Sequence, residues 1–164
     1  ATAISPVAGP TYRTGWGAID AAAAGRLVAG DAGTLVTLAG QADPIELRLA
    51  RTSGPITVTA VWIDPPAPQN TGGLNDGTPA LIVDFDVELM RPDGKTTHWP
   101  WALAPETPSA LATRDRPNRR DNVERIDVDE LGGADGTWTL RVITPANGAG
   151  RQIAVAIRGL APLQ

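Results

Sequence analysis

Asp84 and Asp86 are the residues of this chain best placed to do chemistry. In an extended segment a spacing of two puts both carboxylates on one face. Two negative charges held that close repel each other, and a nearby cation relieves them. The expected cation is calcium (Ca2+), which takes roughly six to eight oxygen ligands. Asp121, Asn122 and Glu124 are the further oxygen donors for it. Asn75-Asp76-Gly77, in the loop ahead of the pair, either adds ligands or is simply a tight turn. The same acidic pair also reads as a solvated polar face, with arginines of the 114–125 stretch as counter-charge. A third reading, paired carboxylates for glycoside hydrolysis, fits the separation of strand neighbours but comes with no evident cleft.

Nucleophilic chemistry has less to work with. A serine protease needs a hydroxyl, a base and an orienting carboxylate. The one histidine is His98, and the serines are Ser5, Ser53 and Ser109, none of them in a Gly-Thr-Ser context. No catalytic triad is expected within this chain. His98 sits in Thr97-His98-Trp99-Pro100-Trp101, which reads as an edge strand with one tryptophan in the core. The alternative is a ligand platform, with Trp99 and Trp101 side by side in a groove. There is no cysteine, so neither thiolate chemistry nor a disulfide framework is available. No phosphate loop, zinc-ligand spacing or dinucleotide fingerprint occurs.

A net charge of −4 and a pI near 4.9 argue against a nucleic-acid partner, which calls for a basic face. No run reaches the ~18 apolar residues of a membrane span. The chain opens on Ala1 with no charged n-region and apolar core after it, so it reads as a mature or excised piece.

The elements that would position these residues are mostly strands. Residues 18–28 form the one convincing helix, alanine-rich, with Asp20 in its first turn and Gly30 placed to end it. A helix this short needs something to pack on. Strands are expected at 34–39, 45–50, 55–63, 80–90, 96–101, 122–128, 136–144 and 152–159, from period-two alternation bounded by Gly, Pro and Asp. Pro100 favours an edge position for the fifth. Residues 102–120 make a long arginine- and proline-rich connection, and the Arg114–Arg125 cluster, interleaved with Asp115, Asp121 and Glu124, reads as a salt-bridged loop rather than a patch for an acidic partner. With 18 glycines and 15 prolines between short apolar runs, the fold class expected is all-β, a jelly-roll or β-sandwich of about eight strands with one N-terminal helix.

The segment Gly9-Pro10-Thr11-Tyr12-Arg13-Thr14-Gly15-Trp16-Gly17-Ala18-Ile19-Asp20-Ala21 resembles the end of a subtilisin-like catalytic domain, where a Gly-aromatic-Gly turn leads into the last helix. The body continues the resemblance. Val58-Thr59-Ala60-Val61-Trp62-Ile63-Asp64-Pro65-Pro66 is similar to a strand ending Trp-x-Asp-x-Pro in the C-terminal β domains of those proteases. Leu81-Ile82-Val83-Asp84-Phe85-Asp86-Val87-Glu88-Leu89 resembles their Leu-Val-Asn-Asp-Leu-Asp-Leu strand. Arg91-Pro92-Asp93-Gly94, Asp121-Asn122-Val123-Glu124 and Gly136-Thr137-Trp138-Thr139-Leu140-Arg141-Val142 resemble the turn, the Asn-Asn-Val-Glu motif and the Gly-Thr-Tyr/Trp strand that follow in the same order. Val83 stands where the family has Asn, and Asp121 replaces the first Asn of its motif.

This resemblance implies a division into 1–30, the tail and last helix of a catalytic domain, and 31–164, a β-sandwich accessory domain. It implies a non-catalytic C-terminal domain of a secreted, bacterial, subtilisin-like serine endopeptidase, stabilising the catalytic domain and shaping substrate access. The partner is then that catalytic domain, in the same chain or beside a nicked fragment, and calcium is a common companion of such domains. The competing expectation is a free-standing carbohydrate- or protein-binding β-sandwich module, with the helix satisfied inside the domain.

Overall fold

Alternating apolar residues make most of the body into strands that each bury one face. The computed structural model describes residues 7–74, 76–129 and 135–163. One helix, α1 (Ala21–Val28), precedes nine strands: β1 (Thr34–Ala39), β2 (Ile45–Arg51), β3 (Ile56–Trp62), β4 (Asp86–Met90), β5 (Thr97–His98), β6 (Val123–Val128), β7 (Thr137–Ile143), β8 (Gln152–Arg158) and β9 (Leu160–Pro162). They form two antiparallel sheets, ordered β1-β8-β3-β6 and β5-β4-β7-β2-β9. The expected all-β sandwich with one helix is the observed fold. Among the described residues no helix is long and apolar enough to cross a membrane.

The core lies between the sheets. Ile56, Val58, Ala60 and Trp62 of β3 and Ile153, Val155 and Ile157 of β8 face Trp138, Leu140 and Val142 of β7 and Val87 and Leu89 of β4. Each such side chain contributes roughly 1.5–3 kcal/mol by leaving water. The two outer faces differ in character. One carries the Glu46–Arg141–Glu88 ion pairs. The other, on the β1-β8-β3-β6 sheet, turns Leu35, Thr37, Thr59, Val61, Ala154 and Ala156 outward, with Arg125 and Asp127 of β6 and Arg158 of β8 as the charged residues on the same face.

Gly159 carries the chain from one sheet to the other, between β8 and β9. Its φ is +73°, and an added Cβ would lie 2.4 Å from the Pro55 carbonyl oxygen. Gly159→Ala is therefore expected to destabilise the chain by about 2–3 kcal/mol, read as a lowered midpoint in chemical denaturation.

Four elements depart from the sequence expectation. The strand expected at 80–90 is regular only over Asp86–Met90, although Val83 and Phe85 ahead of it are still buried in alternation. β5 is two residues long, at an edge, and β9 was not expected. Helix α1 starts at Ala21 because Asp20 is its N-cap rather than a first-turn residue, accepting from the Ala23 N–H at 2.8 Å. Gly30, at φ +85°, ends it: the Gly30 N–H donates to Leu27 and the Asp31 N–H to Arg26, a Schellman stop.

Residues ahead of the helix lie against the β body. Pro10 is buried, and Gly9 touches Trp101 so closely that a Cβ would come within 2.6 Å of the ring. Helix α1 is held differently. It lies over that sheet face across a groove of about 300 Å3 lined by Ala23, Leu27, Thr57, Thr59 and Ala156 together with the charged Asp20, Arg26, Arg125 and Arg158, and none of its residues is buried.

Candidate functional site: an acidic pocket at the open sheet edge

The site begins with a segment that is not a strand. Residues 81–85 have no ladder partner, so their backbone groups need other company. Asp64 supplies part of it: one carboxylate oxygen accepts from the Ile82 N–H and the other from the Val83 N–H, each at 2.8 Å. The Trp62 indole donates to the Val83 carbonyl at 2.8 Å, and Asn147 donates to the Ile82 carbonyl at 2.7 Å. Trp62 also meets Phe85 edge-on, with ring centroids 5.3 Å apart. The Trp62-Ile63-Asp64 motif is thus a clamp that sets the direction from which the chain reaches Asp84 and Asp86.

Glu124 enters from the other sheet. In β6 the inward residues are Glu124, Ile126 and Val128, so alternation delivers a carboxylate to the interior, where it is 1% exposed. The reason is an unfinished ladder. The Arg91 N–H donates to the Thr96 carbonyl, so residues 91, 89 and 87 direct their N–H groups toward the β5 side of β4. But β5 pairs only with Leu89 and Met90, which leaves the Val87 N–H without a strand partner. Glu124 Oε2 takes that N–H at 2.7 Å. A side chain stands in for the missing residue of β5.

The three carboxylates sense one another. Burial pushes Glu124 up to about 9, with the Asp86 and Asp84 charges adding to the effect. Asp84 is raised by burial and then by Asp86, and Asp86 by burial. Arg119, from the long connection, approaches from solvent at 3.3 Å from Asp84 and 3.7 Å from Asp86. Its side chain remains 64% exposed, so it offsets the two charges only partly. One oxygen of each acid, Asp84 Oδ1, Asp86 Oδ1 and Glu124 Oε1, is buried with no hydrogen-bond partner.

Unpaired buried carboxylate oxygens are costly in this state, and their chemistry fits a hard cation of the calcium type. Among the described residues, however, no three acidic or histidine side chains close on one point as a finished metal cage. Binding therefore requires Arg119 to swing outward and Glu124 to lose its proton.

The other candidates lie elsewhere. Asp121 is exposed and accepts from Asn118 at 3.1 Å, away from the acidic trio. Asn122 donates to the Trp62 carbonyl at 2.7 Å, so it supports the clamp rather than the pocket. Asn75 lies outside the described residues. Asp76 turns its carboxylate onto the Thr78 N–H and hydroxyl. Arg114 pairs with Asp129, Arg116 with Asp115 and Arg125 with Asp127, so the connection is salt-bridged as expected. Two contributors were missed by sequence reasoning. Asn118, 1% exposed, ties Asp121 to the Val123 carbonyl, and Asp64 was read only as a strand stop.

His98 stacks on Trp138 at 6.0 Å, its Nε2 buried without a partner, while Ser53 and Ser109 are exposed. Ser5 lies outside the described residues. Trp99 and Trp101 do not form a paired platform. Trp101 is 7% exposed beneath the Arg114 guanidinium, 4.4 Å from the ring, with its indole N–H on Asp127.

No family model matches this chain, and no curated protein matches it.

Proposed function

We propose that this chain is the non-catalytic C-terminal accessory domain of a secreted subtilisin-like serine endopeptidase, with α1 as the last helix of the catalytic body and the sandwich as its buttress. The observation that carries the reading is α1. It is capped at both ends, yet no residue of it is buried, and Ile19 and Val28 are 91% and 73% exposed. An eight-residue helix does not hold in water by propensity alone. Its outward side, with Ala21, Ala22, Gly25 and Val28, is small and apolar, which suits close packing against a second body. The apolar middle of the sheet face beside it, with Leu35, Val61 and Ala154 outward, supports the same partner, the catalytic domain of the same protease.

In the full reading frame, removing residues 31–164 is expected to shorten the half-life of peptidase activity on heating, on the order of tenfold. Val28→Arg is expected to reproduce that loss while leaving the isolated sandwich folded. A reading frame with no Gly-Thr-Ser nucleophile segment upstream, or a catalytic body equally durable without the sandwich, overturns the reading.

Calcium belongs to this proposal as a tie between the sheets, held by Asp84 and Asp86 from one side and Glu124 from the other. Extracellular calcium is abundant enough for a weak site of this kind. At a concentration a hundredfold above Kd, binding stabilises by about 2.7 kcal/mol. Saturating calcium at pH 8 is thus expected to raise the thermal midpoint by several degrees, reversed by chelation and absent in Asp86→Asn. An unchanged midpoint, with no heat in calorimetric titration, removes calcium from the proposal and leaves the helix argument standing.

A further inference from the structure

A groove of about 640 Å3 runs beside β5, between residues 96–99 on one wall and 113–115 with Asp127 and Asp129 on the other. Most of its polar wall is already engaged. Arg114 donates to the Asp127 carbonyl and to Asp129, Thr113 to Asp115, and Thr96 to Asp93. The neighbouring edge, β6, is closed by the Trp101 N–H on the Arg125 carbonyl and by Arg114 on Asp127. The β5 edge is not. With the Arg91 N–H on the Thr96 carbonyl, antiparallel alternation turns the N–H and C=O of Thr97 away from β4, onto the groove side. Two residues further the half-buried Trp99 adds an indole to the same wall. No side-chain hydrogen bond engages Thr97, His98 or Trp99 among the described residues, and His98 Nε2 is buried without a partner.

From this we infer that the groove takes an extended polypeptide segment as an added strand on β5. The Thr97 backbone supplies the pairing hydrogen bonds, and Trp99 packs on an apolar side chain of the segment. A free edge is a template for another chain, and proteins usually blunt it by shortening it. Here the edge is short, but the opposite wall makes it one side of a groove whose volume is typical of ligand sites, roughly 300–1,000 Å3. Main-chain bonds then give affinity and the tryptophan gives preference, as in other strand-addition sites. The inference does not depend on the protease reading. A free-standing domain would capture extended peptide in the same way.

The test is an isotope-resolved titration of the whole chain with a pool of end-blocked random decapeptides, followed by amide hydrogen exchange. Shifts and new protection are expected at Thr97 and Trp99. Thr97→Pro removes the outward N–H at an edge position that tolerates proline. It is expected to weaken peptide binding roughly tenfold, whereas Thr97→Val, which keeps that N–H, changes little. Trp99→Ala gives a second loss should the proline variant fold poorly. Shifts confined to β1 or β9, binding unchanged in both Thr97→Pro and Trp99→Ala, or a groove that responds to cellohexaose and not to peptide would overturn the inference. None of these measurements involves peptidase activity, so failure here is distinguishable from failure of the accessory-domain proposal.

Discussion

Glu124→Gln is expected to change the calcium-free chain little at pH 5 and to stabilise it at pH 8.5 by about 5 kcal/mol, roughly 10–20 °C in thermal midpoint for a chain this long. The sign follows from the direction of the shift. The carboxyl is raised from 4.5 in an open chain to about 9 in the fold. Its contribution to stability is therefore complete below pH 4.5 and is lost as the pH climbs toward 9. Asp84 and Asp86 are raised as well and slope the same way. A glutamine keeps the acceptor for the Val87 N–H and cannot acquire the buried charge. Glu124→Ala behaves differently: it strands that N–H and opens a hole, at a cost of about 3 kcal/mol at either pH. Calcium opposes the slope, because ligands must be deprotonated to hold it. Wild type should then lose less stability between pH 5 and pH 8.5 with calcium than without it, and Glu124→Gln should lose that response. Parallel melts at the two pH values, with chelator and with calcium, decide the matter. A flat profile for calcium-free wild type would mean that Glu124 is ionised in the fold.

Why the acidic pocket was only half legible in the sequence follows from what each residue does. Asp84 and Asp86 announce themselves by spacing, and Glu124 by sharing the inward face of β6 with Ile126 and Val128. The Asp121-Asn122-Val123-Glu124 motif, however, does not act as a unit. Alternation sends Glu124 inward, whereas Asn122 turns to the Trp62 carbonyl and Asp121 to Asn118. No pattern along the chain could show that β5 stops short of Val87, and that gap is what gives Glu124 its role. The strands around the core were readable because each encodes its own alternation. Residues 81–85 alternate just as well and yet are not a strand, because a ladder depends on a neighbour and none is present. The helix was readable in type but not in boundary. Asp20 suits both a first turn and a cap, and only the bond from the Ala23 N–H separates the two.

Asp64→Ala should cost about 3 kcal/mol, with the calcium response falling alongside stability. The carboxylate holds two backbone N–H groups that no strand serves, and removing it leaves Ile82 and Val83 unpaired in a part-buried segment. The indole of Trp62 still holds the Val83 carbonyl, so the segment should loosen at one end rather than depart. Asp64→Asn retains one acceptor oxygen and should cost about half as much. The two variants separate positioning from bulk stability. If the clamp positions the pocket, Asp64→Asn will lower calcium affinity more than Gly159→Ala does, even though Gly159→Ala costs the fold at least as much. Gly159 lies at the turn joining β8 to β9 and has no bond to residues 81–86, so it serves as the reference for a purely global loss. Equal affinity in the two variants, measured by calorimetric titration below their melting transitions, would reduce Asp64 to an ordinary loop anchor. Weaker binding in Asp64→Asn alone would make the Trp62-Ile63-Asp64 motif a positioning device for a site on a different strand.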